Sequence, residues 1–211
     1  MFERLLKQKN NLILIFTIAY LAAFTVNALI WGNFEFLYYT ILMIILIFLV
    51  LHLDRFLHFG FFIIFNLSIL GFLHLFAGNF YINDLRLYDF YLIPEFFRYD
   101  NFVHTYASFI ATLAFYSIFS DFIDNKVRQN YVIFSFVFVL IGMGLGVMVE
   151  LIELGAVLFL DASSQVGDYY NNAFDLFFNT IGAILAMTVV YFYREKSRFM
   201  DKINEKFRED N

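Results

Sequence analysis

Acids, an imidazole and amides recur at helical spacing inside otherwise apolar stretches of this chain. Asp100 and His104 are four residues apart, Glu150 and Glu153 three apart, and Asn172, Asp175 and Asn179 follow at intervals of three and four. Residues so spaced share one face of a helix. Polar side chains in hydrocarbon are costly unless they face protein, water or a ligand. A group of carboxylates also repels itself unless protons, cations or basic side chains intervene. Carboxylate oxygens and imidazole nitrogens suit Zn, Mn or Mg, so a divalent metal is a natural solution. On this reading His104, Glu150, Glu153 and Asp175 are metal ligands, and Asp100 or Asp168 orients His104 or acts as general base. His74, Arg98, Asn171, Asn172 and Asn179 complete a polar cup, in which Arg98 is the basic residue placed to offset the acids.

Each of these residues also has a structural reading. Asp100 and Asp168 are placed to cap helix N-termini, and for Asp100 taken alone that reading is preferred. Asn171, Asn172 and Asn179 suit hydrogen bonds between helices. Glu150 and Glu153 stand near the C-terminal end of their apolar segment, where the helix dipole disfavours anions, so capping does not explain them. His52 and His58 fall at the opposite side and read as interfacial residues.

The elements that must position these groups follow from composition. The chain has 211 residues, 62% of them hydrophobic and 16% charged, with 32 Phe and 14 Tyr. A soluble domain is nearer half apolar and a quarter charged. The pattern predicts one integral membrane domain over residues 1–211: an all-α, polytopic membrane helix bundle of six transmembrane helices. The spans are expected at about 11–31, 36–53, 59–77, 101–120, 131–155 and 173–193, with 194–211 a helical or frayed tail. No small-residue cleavage pattern follows the first, so it reads as an uncleaved span. The connection 78–100 holds the single proline, Pro94, and is expected to form short helical pieces at the interface. Gly142 and Gly146 form a GxxxG pair, and Gly182 with Ala186 a second small pair, both suited to close helix approach. The absence of cysteine excludes disulfides and thiolate metal sites. Membrane lipids are the expected partners, and nothing supports a nucleic-acid partner.

Charge placement sets an expected orientation. With both termini cytoplasmic, 12 of the 14 basic residues fall on the cytoplasmic side and only Arg86 and Arg98 on the other. His74, Asp100, His104, Glu150, Glu153 and Asp175 then all belong to the outer half. Four separately read segments deliver polar groups to one depth.

These motifs resemble those of the YjdF-like inner-membrane proteins (DUF2238), a family of unknown function. Tyr99-Asp100 with His104 is similar to that family's tyrosine–aspartate–x3–histidine element, and Glu150-Leu-Ile-Glu153 to its paired-glutamate element. Gly167-Asp168-Tyr169-Tyr170 through Asp175-Leu176 resembles its glycine–aspartate element, and His74 matches a histidine before its long loop. Tyr170, Asn171, Asn172 and Ala173 depart from the tryptophan, aspartate, threonine and glutamine of that pattern. A fainter similarity to VanZ-like proteins rests on Asp175, Asn179 and Gly182.

Three functions compete on these observations. The leading one is a metal-assisted enzyme acting on a lipid or lipid-linked substrate at the outer face. A cation or proton transporter would use the same carboxylates, but needs polar groups continuing into the cytoplasmic half, where spans two, four, five and six are nearly bare. A non-catalytic scaffold would use the cup only as a buried hydrogen-bond network.

Overall fold

Hydrocarbon offers backbone amides no partner but one another, so apolar stretches of about 20 residues fold as helices. The structure, a computed structural model, describes residues 2–57, 59–162 and 166–209; His58 lies outside them. Helix α1 spans Phe2–Trp31, α2 Phe34–Leu57, α3 Phe61–Asn79, α4 Tyr99–Phe119, α5 Asn125–Gln129, α6 Tyr131–Leu160 and α7 Tyr169–Glu209. All but the short α5 contain a stretch long and apolar enough to cross a membrane. The chain is therefore an all-α polytopic membrane protein. Large apolar side chains such as Ile45, Phe48, Val132 and Phe136 point outward, where lipid covers them.

Helix ends follow local chemistry. Gly32 takes φ +66°, and the Asn33 N–H reaches back to the Ala28 carbonyl at 2.8 Å, which closes α1 with a left-handed residue just past its last turn. α6 runs past its expected end at 155 because Gly155 to Leu160 contains no charge, and it stops where Asp161 takes φ +56°. This extension places Glu150 inside the helix, ~15 Å along the axis from Leu160, rather than near its end. α7 starts at Tyr169, ahead of the expected 173, and continues unbroken through the tail to Glu209.

The closest association is between α4 and α7, with α6 packed against both. Gly142 of α6 faces Thr112 and Ala183, and Gly146 lies against the Asn179 side chain, so the GxxxG pair does set the approach of three helices. Apolar clusters close the two ends of the bundle. One gathers Tyr20, Phe36, Tyr39 and Leu75 with Ala156, Ala162 and Val166; the other gathers Phe134, Phe138, Met187 and Val190.

Of the interfacial helical pieces expected over 78–100, only a short 3-10 turn forms; the ends of the segment belong to α3 and α4, and most of the rest is two β-hairpins. Strands β1 (Tyr81–Ile82) and β2 (Leu85–Arg86) make one hairpin, and β3 (Tyr91–Ile93) and β4 (Phe97–Arg98) a second. A 3-10 turn at Leu87–Asp89 joins them. Turn chemistry overrides the helical alternative. Asn83 and Asp84, at φ +49° and +64°, build the two-residue turn whose twist matches paired strands. Pro94, followed by Glu95 at φ +59°, turns the second hairpin.

The hairpins are fastened to the bundle by Arg86. Its guanidinium lies 3.1 Å from Glu35 at the start of α2 and 3.1 Å from Asp89, and it sits over the rings of Phe36 and Tyr88. Burial alone would disfavour the charge, yet the Glu35 and Asp89 carboxylates hold the Arg86 pKa above its ordinary value. Arg86→Ala leaves Glu35 a buried, uncompensated acid. The expected loss is about 3–5 kcal/mol, seen as a lower thermal unfolding midpoint in detergent, with part of it restored by adding Glu35→Gln.

Candidate functional site

The first two turns of α4 carry Asp100, Asn101 and His104 toward α6 and α7. The His104 imidazole is the centre of the arrangement. Its Nε2 lies 3.4 Å from Asp100 Oδ1, 3.9 Å from Glu153 Oε1 and 4.0 Å from Asp175 Oδ1. Its Nδ1 lies 3.7 Å from Glu150 Oε1 and 3.3 Å from the Asn179 amide nitrogen. Three helices thus bring four carboxylates around one ring, and the ring is 5% exposed. Ligand atoms of Asp100, His104 and Asp175 all fall within 4.8 Å of one another.

The acids differ in how they are satisfied. Asp175, fully buried, accepts from the Asn101 amide at 3.0 Å and the Asn171 amide at 2.7 Å. Glu150 is 9% exposed, and neither of its buried carboxylate oxygens has a hydrogen-bond partner among the described residues. A buried carboxylate without a donor is costly, which marks this side of the ring as incomplete.

Asn171 is the hinge of the polar network. Its amide nitrogen donates to Asp175 and to the Val166 carbonyl, while its oxygen accepts from Arg98 Nη2. An aspartate here could accept from Arg98 but could not donate to Asp175. Asn171→Asp therefore sets two carboxylates face to face, and we expect it to lower stability by about 1–3 kcal/mol in thermal unfolding.

The other expected site residues divide. Asp100 is not the N-cap of α4; Arg98 holds that position, and the Asp100 carboxylate turns toward His104 instead. Asp168 is exposed, precedes α7, and accepts from the Asn171 N–H at 3.1 Å, the bond of an N-cap. Asn172 is half-buried, and its backbone N–H bonds the Asp168 carbonyl. His74 hydrogen-bonds the Tyr88 hydroxyl and packs among Phe36, Tyr39 and Tyr88. Burial holds the Tyr88 phenol pKa well above its usual value, and the Asp100 and Glu153 carboxylates add to this. Exposed His52 packs on Phe56, far along α2 from this group. Past the cluster α4 carries two further buried polar groups, Ser108 at mid-helix and Thr112 one turn on, neither with a hydrogen-bond partner among the described residues.

Two cavities meet at the cluster. A polar one of about 210 Å³ lies under the hairpins, lined by Glu35, Arg86, Arg98, Asp100 and Asn171 among others. An apolar one of about 320 Å³ runs between α1, α2 and α3, with Val103, His104 and Val149 on its far wall. Tyr39, His74, Tyr88 and Glu153 line both.

Sequence reading missed Asn101, Glu35 and Tyr88 as members of this site. Glu35 had a usable signal: an acid opening the second span stands at the same end as His74 by simple alternation of the spans.

An apolar six-span bundle with an ionisable cluster buried between its helices defines the class as a polytopic membrane protein. Residues 12–196 match the family model described as "Predicted membrane protein (DUF2238)", and the chain belongs to that family, which the YjdF-like motifs indicate. No curated protein matches the chain, and no solved structure matches it either.

Proposed function

We propose that the cluster is a divalent-metal centre in a membrane enzyme that hydrolyses a lipid or lipid-linked ester at the outer face. The observation that carries this reading is the convergence of three carboxylates within 4.0 Å of one buried imidazole nitrogen. Metal–ligand bonds near 2.1 Å set neighbouring ligand atoms about 3–4 Å apart; Asp100, His104 and Asp175 already stand within 4.8 Å of one another, and Glu153, outside that group, would have to move in to join them. In this proposal His104 Nε2, Asp100, Asp175 and Glu153 hold the metal. Glu150 belongs to the other ring nitrogen. With a metal on Nε2 the ring proton would sit on Nδ1, and the Glu150 carboxylate, 3.7 Å away and without a hydrogen-bond partner among the described residues, would be drawn in as its acceptor. The Asn179 amide then turns its oxygen toward the ring, a choice of orientation that its neighbours fix.

One imidazole with several carboxylates suits Zn or Mn. Such an ion polarises a phosphoryl or acyl oxygen and activates water. Water attack would form a bond to the phosphorus or acyl carbon and break that atom's bond to the leaving oxygen, while a cup carboxylate would take the water proton and return it to the leaving oxygen. The distribution of basic residues supports the outer-face location.

Elemental analysis of detergent-purified protein tests the reading. A metal near one per chain, with hydrolysis of a lipid ester lost on chelation, is the expected result. Metal-free protein that is as stable with added Zn or Mn as without would leave the cluster a hydrogen-bond scaffold.

A further inference from the structure

The apolar cavity identifies a substrate class for this site, and the inference rests on the enzyme reading above. From His74 to Ile64 the cavity follows α3 for roughly 15 Å, a path set by the helical rise. Thr17 and Ser68 lie on its wall, and their hydroxyls bond each other at 2.6 Å, so neither needs a polar ligand. Its volume of about 320 Å³ is at the small end of ligand pockets, which suits one apolar chain rather than two. Lining residues Leu14, Leu46 and Leu51 are 40%, 52% and 43% exposed, so the cavity reaches the lipid-facing surface beside α1 and α2.

The polar cavity supplies the other half of the ligand. Glu35 and Asp89 flank Arg86 at ion-pair distance, whereas Arg98 hydrogen-bonds the neutral amide of Asn171, sits over the Tyr91 ring and acts on the Asp100 carboxylate from beyond ion-pair distance, with no carboxylate within 4.0 Å among the described residues. A phosphate-type group placed there would lie beside Arg98 and the Asp100 side of the cluster. The shared residues Tyr39, His74, Tyr88 and Glu153 form the passage between the two compartments. We propose that these compartments bind an amphiphile with a single apolar chain and a phosphate headgroup, its chain in the apolar cavity and its phosphate beside Arg98.

A long-chain alkyl phosphate with a photoreactive diazirine at the chain end tests this in lipid nanodiscs. The same chain with a neutral hydroxyl head, chelator-treated protein and metal-replete protein supply the comparisons. Labelling of buried Thr17, Ser68 and Gly71, competed by unlabelled alkyl phosphate and weaker for the neutral probe, is the expected result. Ala107→Phe sets a ring into the cavity one turn beyond His104. It should cut this labelling by roughly tenfold or more while leaving metal content unchanged. Labelling confined to lipid-facing residues such as Phe48, or buried labelling that no competitor displaces, overturns the proposal. Equal labelling by both heads overturns its phosphate half. The wild-type pattern decides the matter even where Ala107→Phe does not fold. Buried labelling in a protein that binds no metal would refute the metal centre and spare this inference; bound metal without buried labelling would do the reverse.

Discussion

His104→Ala should leave protein that folds but holds less than a tenth of the metal of wild type. Among the described residues the ring is the only imidazole of the cluster, and all four acids converge on it. Losing a group that merely orients a ligand costs roughly 10–100-fold in affinity, so losing the central ligand costs more. Glu150→Gln supplies that smaller step, because an amide oxygen still accepts the Nδ1 proton but carries no charge. A thermal readout accompanies the elemental one. A metal present at 100 times its dissociation constant stabilises the fold by about 2.7 kcal/mol, so chelation should lower the wild-type midpoint and leave that of His104→Ala unmoved. If both proteins respond equally to chelator, the imidazole holds no metal.

Gly182→Val is expected to remove folded protein altogether. A Cβ at this position would overlap the Thr105 carbonyl oxygen and lie 3.0 Å from the Phe109 nitrogen, both backbone atoms of α4. No rotamer change relieves such a contact, so the helices must separate. Overpacking of this kind costs ~1–3 kcal/mol when side chains can give way, and more when only backbone can. The separation also carries Asp175, two turns earlier on the same face of α7, away from Asn101 and His104. Gly144→Ala is the matched control, since a Cβ there meets nothing within 4 Å. Size-exclusion profiles in detergent should show an aggregated or absent Gly182→Val beside a normal Gly144→Ala.

Much of this architecture is legible in the chain because the bilayer restricts what it can do. Long uncharged runs have to be helices, and acids at three- and four-residue spacing have to share a face, so Asp100 with His104 and Glu150 with Glu153 announce their grouping. Distances between helices are another matter. Asn101 is one residue from Asp100, yet its bond to Asp175 depends on the close approach that Gly182 permits, which no spacing rule reveals. The assignment of Glu150 to Nδ1 and of Glu153 to Nε2 likewise depends on the rotation of α6. The hairpins were hidden for a different reason. Their aromatic density reads as interfacial, and the decisive signal was two residues, Asn83 and Asp84, that tolerate positive φ.

The Arg86 fastening has a consequence for how a ligand would arrive. Hairpins locked to α2 by a buried ion pair make poor doors, whereas the apolar cavity reaches the hydrocarbon directly beside α1 and α2. Encounter would then be two-dimensional. The governing concentration becomes the mole fraction of the amphiphile in the bilayer, so turnover should fall when the membrane is diluted with inert lipid at constant bulk substrate, as in surface-dilution kinetics.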